Sequence, residues 1–225
     1  MLARMAPTPV YLEVGAKKVF ACSLDWPGWC RADRTEEAAL EALGAYAGRY
    51  SAVAAAAGVR FPSTAGRSFD VVERVKGSAT TDFGAPGEAA SADAEPLTAA
   101  RAERLASLVE ASWVVLAAVA GSAPAQLRKG PRGGGRDRDG IVAHVASAEF
   151  GYARKLGVRH KAADDPLAAP EAVEALRAEV LEALRSARKG EPLVDNGWLP
   201  RYAARRFAWH AVDHAWEIED RSEPG

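Results

Sequence analysis

The 225-residue sequence predicts a small α+β unit, an antiparallel sheet plus a helix, followed by an all-α, up-and-down four-helix bundle. Three observations carry that expectation. Short β-prone runs cluster before residue 76. The stretch 77–96 (GSATTDFGAPGEAASADAEP) is small, polar and turn-rich, and from Leu97 onward apolar residues recur at steps of three and four. The expected organisation is an α+β unit over 1–76, a linker over 77–96 and a bundle over 97–225.

The first elements follow from local chemistry. Residues 10–14 and 18–24 are β-prone and separated by Gly15 and Ala16, which predicts a hairpin. Residues 25–30 (DWPGWC) form a turn signal, whose Trp26, Trp29 and Cys30 read as turn and core packing rather than a binding site. Asp33, with Glu36 three residues on, reads as an N-cap. The helix it opens has the apolar stripe Leu40, Leu43, Ala47, Tyr50, Ala54 and Ala57, with Gly58 as its C-cap. Alternation of Phe69, Val71 and Val75 predicts one further strand over 68–75.

Strands, the turn Pro27-Gly28-Trp29-Cys30, then Thr35-Glu36-Glu37-Ala38 opening a helix together resemble the HicB-like antitoxin fold. The resemblance spans about fifty residues and implies a fold rather than an activity.

The bundle helices have their own stripes. The first carries Leu105, Leu108, Val109, Leu116 and Val119 and stops near Gly121. A second, over 139–156, carries Ile141, His144, Val145, Ala148, Tyr152 and Leu156. Pro170 opens the third, with Val173, Leu176, Val180 and Leu184, and Gly190 ends it. The fourth, over 201–221 (RYAARRFAWHAVDHAWEIEDR), lacks Gly and Pro and places Ala203, Phe207, His210, His214 and Ile218 on one face.

His210 and His214 are spaced i, i+4, so on a helix their imidazoles stack about one turn apart and reach one ion. His144 lies on the inward stripe of the second helix. Three imidazoles from two facing helices leave a coordination position for water or substrate, the arrangement of a catalytic site. His160, in a basic stretch, reads as a surface residue. Ala211 stands where H-E-x-x-H has its glutamate, which argues against metalloprotease chemistry. The carboxylates near these histidines in sequence are Glu149, Asp213 and Glu217. Glu217, three residues after His214, can approach it, and Glu149 is the second candidate acid/base, whereas Asp213 points off the metal face. A basic, glycine-rich loop precedes the second helix. Its Arg128, Lys129, Arg132 and Arg136 could hold an anionic substrate, the carboxylates of a thiol cofactor or a nucleic-acid phosphate, and its order matches no P-loop.

The segments Arg128-Lys129-Gly130-Pro131-Arg132 through Ile141-Val142-Ala143-His144, and Trp209-His210-Ala211-Val212-Asp213-His214, resemble the DinB-like superfamily of four-helix-bundle proteins. That resemblance implies a divalent metal, usually zinc or nickel, on His144, His210 and His214. It also implies, for some relatives, transferase or isomerase chemistry with a low-molecular-weight thiol. Imidazole ligands alone would suit zinc, nickel, copper or iron.

Bulk properties narrow the rest. A formal net charge of -1 and a pI near 6.5 argue against a protein that coats nucleic acid or an anionic membrane. Cys22 and Cys30 make no disulfide framework, and the opening MLARMAPTPVYLEV lacks the apolar core of a signal peptide, so a cytoplasmic protein is expected. The apolar run 111–120 is too short to span a bilayer. The expected activity is that of a metal-dependent transferase or hydrolase acting on a small molecule. The alternative is a non-catalytic regulatory protein with a HicB-like interaction domain and a structural metal. The expected partners are a small-molecule substrate and a second copy of the chain.

Overall fold

In the computed structural model, residues 7–130 and 134–222 are described, and they form one four-stranded sheet and seven α-helices. Strands β1 (Thr8–Val14) and β2 (Val19–Ser23) form the expected hairpin, closed by a Gly15 amide donating to the Lys18 carbonyl at 2.9 Å. Next come β3 (Cys30–Asp33), helices α1 (Glu36–Ala45) and α2 (Ala47–Ala56), and β4 (Phe69–Lys76). The sheet order is β3-β2-β1-β4, and β4 runs parallel to β1. The sheet is therefore mixed, not antiparallel as expected. The two-helix crossover between β3 and β4 carries the chain across a face of the sheet, the type of connection a parallel pairing needs.

Two local expectations also change. Asp33 ends β3 instead of capping a helix, and the cap is Thr35, whose hydroxyl accepts from the Ala38 amide at 3.2 Å. The single expected helix breaks at Tyr46, whose backbone (φ -88, ψ 1) sits in the bridge region between α1 and α2.

Side chains alternate across β1 with period two. Val10 and Leu12 enter a core with Trp29, Leu43, Tyr50 and Val53, and Trp29 Nε1 donates to the Leu43 carbonyl at 2.9 Å. Tyr11 enters a second core on the opposite face with Phe20, Cys22, Cys30 and Trp209. Both faces of the sheet are thus covered.

The stretch 77–96 is built onto this scaffold. It forms α3 (Ala79–Phe83) and a 3-10 turn (Ser91–Ala94). The buried carboxylate of Glu13 accepts from the Thr81 hydroxyl and from the Gly87 and Glu88 amides at 2.9 and 3.0 Å. Buried Asp93 pairs with buried Arg205. The anchors are polar and their partners are distant in sequence, so the tether-like composition hides them.

Four long helices, α4 (Ala99–Ser122), α5 (Arg138–Arg154), α6 (Pro170–Ser186) and α7 (Pro200–Ser222), enclose a third core. Thr98 caps α4 by accepting from the Arg101 amide at 3.2 Å, and Pro170 opens α6. By length and composition α4 could cross a membrane, with a mean hydropathy of 1.7 over 18 residues, more than the run 111–120 implies. Here its Leu105, Leu108, Val109 and Leu116 are packed inside the protein.

Helix α7 joins all three cores. Phe207 and Ile218 face the helical core, Val212 and Trp216 face one sheet core, and Trp209 faces the other. Gly28 brings the turn between β2 and β3 against it. Its φ is +91, a conformation that favours glycine, and a Cβ there would crowd the Ala208 backbone at 3.1 Å.

Candidate metal centre

The buried position of α7 fixes where its histidines point. His210 is 6% exposed, while His144 and His214 are half-buried at the edge of the helical core. His144 Nε2 and His210 Nε2 lie 3.3 Å apart, although 66 residues separate them in sequence. The ring centres of His144 are 5.1 Å from those of both His210 and His214, and the i, i+4 pair is 4.8 Å apart. One donor atom from each of the three falls within 4.8 Å of the others, so this group can hold a metal ion. Two nitrogens bound to one tetrahedral zinc at about 2.0–2.1 Å would stand about 3.3 Å apart, which matches the His144 to His210 spacing.

The surroundings of His210 and His144 favour the neutral imidazole, the form that ligates. Burial, with His214, His144 and two arginines adding to it, lowers His210 to about 2. Burial, then Arg136 and His214, also lowers His144. His210 Nδ1 is buried with no hydrogen-bond partner among the described residues. His214 Nδ1 is 2.7 Å from Glu217 Oε2, and Glu217 Oε1 accepts from Arg221 Nη1 at 2.6 Å. The bond to His214, with burial opposing it and Arg221 reinforcing it, keeps the Glu217 carboxyl below its ordinary range. A carboxylate on Nδ1–H selects the tautomer whose Nε2 lone pair is free.

The other candidate residues fall elsewhere. Glu149, only 1% exposed, is bound by Arg177 of α6 through Nε and Nη2 at 2.8 and 3.2 Å and takes no part in the histidine group. Asp213 pairs with Arg31 of β3 at 2.8 Å, off the histidine face. His160 is half-buried and lies 2.9 Å from Glu179. In the basic loop, Arg128 donates to the Asp220 carbonyl at 2.8 Å, and Lys129 pairs with Asp137 at 2.6 Å. These two residues brace the loop against α7 and the start of α5. Arg136 is exposed and has no ion pair among the described residues, yet its charge acts on His144 and His210. Arg132 lies outside the described residues.

Arg221 was not singled out from sequence. Its i+4 spacing from Glu217 was the available signal, and the structure adds that its Nε donates to the Arg128 carbonyl at 2.7 Å. Gly135 makes room for it. With φ +118, a Cβ at Gly135 would stand 2.8 Å from Arg221 Nη2.

No protein-family model, curated protein or solved structure matches this chain.

Proposed function

We propose that the protein is a divalent-metal enzyme of the DinB-like type. Its four long helices would act as the bundle, and His144, His210 and His214 would hold zinc or nickel. The observation that carries this reading is the meeting of three imidazole donors from α5 and α7 within 4.8 Å, with no fourth protein ligand in the group among the described residues. A closed structural site would use four protein ligands, so three support a catalytic role.

When bound, a divalent ion supplies Lewis acidity and lowers the pKa of a water or thiol that reaches it. The chain's own residues do the rest. Glu217 orients His214 and is itself held by Arg221, so the last turns of α7 form one braced unit. Tyr152, 5.6 Å from His210 between ring centres, and Trp209, stacked on His210, limit access from the core side. Half-buried His144 and His214 leave the opposite side to solvent. Arg136 adds positive charge there, which suits an anionic small molecule or a thiol cofactor with carboxylates. The activity class is transfer to, or hydrolysis of, such a small molecule.

The experiment is elemental analysis of tag-free wild-type protein beside His144→Ala and His210→Ala/His214→Ala. Zinc or nickel near one equivalent in the wild type, lost in both variants, is the expected result. A wild type that stays metal-free after both ions are supplied would refute the reading.

A further inference from the structure

A cleft of about 390 Å³ opens where α4 and α7 begin, beside the turn after β2. That size lies within the range of small-molecule pockets, about 300–1,000 Å³. Trp26, Leu97 and Leu105 give it apolar walls, and Arg101, Arg104 and Arg201 give it three guanidiniums. Asp25 supplies the one carboxylate among its described lining residues.

These arginines are oriented mainly by neutral groups. Arg104 Nη1 donates to the Asp25 carbonyl at 2.6 Å, and its guanidinium lies 4.3 Å from the Trp26 ring centre. Arg201, with a side chain only 15% exposed, donates through Nε and Nη2 to the carbonyls of Glu95 and Pro96 at 3.3 and 3.2 Å. It also forms a long ion pair, at 3.7 Å, with the exposed carboxylate of Glu95. The Arg101 guanidinium has no ion pair or hydrogen bond among the described residues.

Carbonyls fix a direction without neutralising charge, the one ion pair is long and made to an exposed carboxylate, and each guanidinium has five donors, so Arg104 and Arg201 keep donors free. Neither α4 nor α7 has an acidic residue in its first turn, where one would be favourable for stability. The chain's net charge of -1 shows no general excess of basic residues that would place three here by composition alone.

We propose that this cleft binds a small phosphate monoester. Its dianion would lie among Arg101, Arg104 and Arg201, and its apolar body would rest on Leu97, Leu105 and Trp26. Planar guanidinium forks match phosphate oxygens in pairs, and three of them suit a dianion. The site is separate from the histidines. Arg201 and His210 are nine residues apart on α7, roughly 14 Å along the helix.

The test is isothermal titration calorimetry of the full chain with phenyl phosphate, inorganic phosphate and benzyl alcohol. Phenyl phosphate is expected to bind saturably and at least about tenfold more tightly than inorganic phosphate, with no heat from benzyl alcohol. Arg101→Gln, which breaks no side-chain hydrogen bond or ion pair among the described residues, is expected to weaken phenyl phosphate about tenfold while leaving the far-ultraviolet circular dichroism unchanged. The double variant His210→Ala/His214→Ala is expected to keep wild-type affinity. Four results would each overturn the proposal: no binding at millimolar phenyl phosphate, equal affinity for inorganic phosphate, an Arg101→Gln variant that binds like wild type, or binding lost with the histidines.

Discussion

Two polar clusters lie one turn or so apart on α7 and are built on opposite principles. At Arg205 a buried guanidinium meets the buried carboxylate of Asp93, so each charge is answered by its opposite. At His210 three bases of the same kind meet, and protonating one disfavours protonating its neighbours. The first cluster closes a seam between the 3-10 turn and α7. The second keeps free nitrogen lone pairs together at the edge of a core, which does nothing for stability by itself. Polar groups that neutralise one another therefore mark architecture here, and bases of one kind gathered with ring nitrogens to spare mark a site.

That contrast can be broken from either side. The largest effect is expected at Asp93→Ala, which leaves Arg205 charged, buried and unpaired. The expected cost is about 3–5 kcal/mol in chemical denaturation, with much of it recovered in Asp93→Leu/Arg205→Met. A cost below about 1 kcal/mol would show that the pair does not hold the seam.

The histidine cluster should behave the other way. In chelator-treated protein, His210→Leu should change stability by no more than about 1 kcal/mol, because the imidazole it removes leaves Nδ1 without a partner. Wild-type protein given zinc at a hundred times its dissociation constant should gain about 2.7 kcal/mol, and the variant should gain nothing. Denaturation curves with and without zinc separate these outcomes, and a zinc response retained in His210→Leu would contradict the assignment.

A smaller effect tests the brace on His214. Glu217→Gln should lower metal affinity about 10- to 100-fold in competition with a chromophoric chelator, whereas Glu149→Gln should leave it unchanged. Equal losses in the two variants would mean that the carboxylate roles are misassigned.

The smallest effect concerns pH. Burial raises the Glu149 carboxyl above 4.5 against the opposing pull of Arg177. The native state thus keeps this proton at pH values where the unfolded chain has released it. Its contribution to stability is present at acid pH and is lost as pH rises from the unfolded value through the native one. Denaturation midpoints of chelator-treated protein between pH 4 and 7 should show a downward component that Glu149→Gln removes.

Much of the local structure was legible in the sequence. The four long helices follow from apolar steps of three and four, with Pro170 and the i, i+4 histidines in place. The hairpin follows from two β-prone runs around Gly15. The parallel seat of β4 was not legible, because an alternating strand does not name its neighbour. Nor was the docking of 77–96, whose anchors, Glu13 and Arg205, lie outside the segment. Thr35 took the cap from Asp33 because β3 runs on through Asp33, so tertiary pairing overrode a local signal.

By itself the sequence determined the helical faces and, through them, that His210 and His214 share one side of a helix, because the period of a helix is a local property of the backbone. Only the tertiary structure decided that His144 comes within 3.3 Å of His210 and that Glu149 belongs to Arg177. Those choices depend on how α5, α6 and α7 pack. Each buried polar group takes whichever partner the packing places within reach, and a partner on another helix leaves no spacing to read in the sequence.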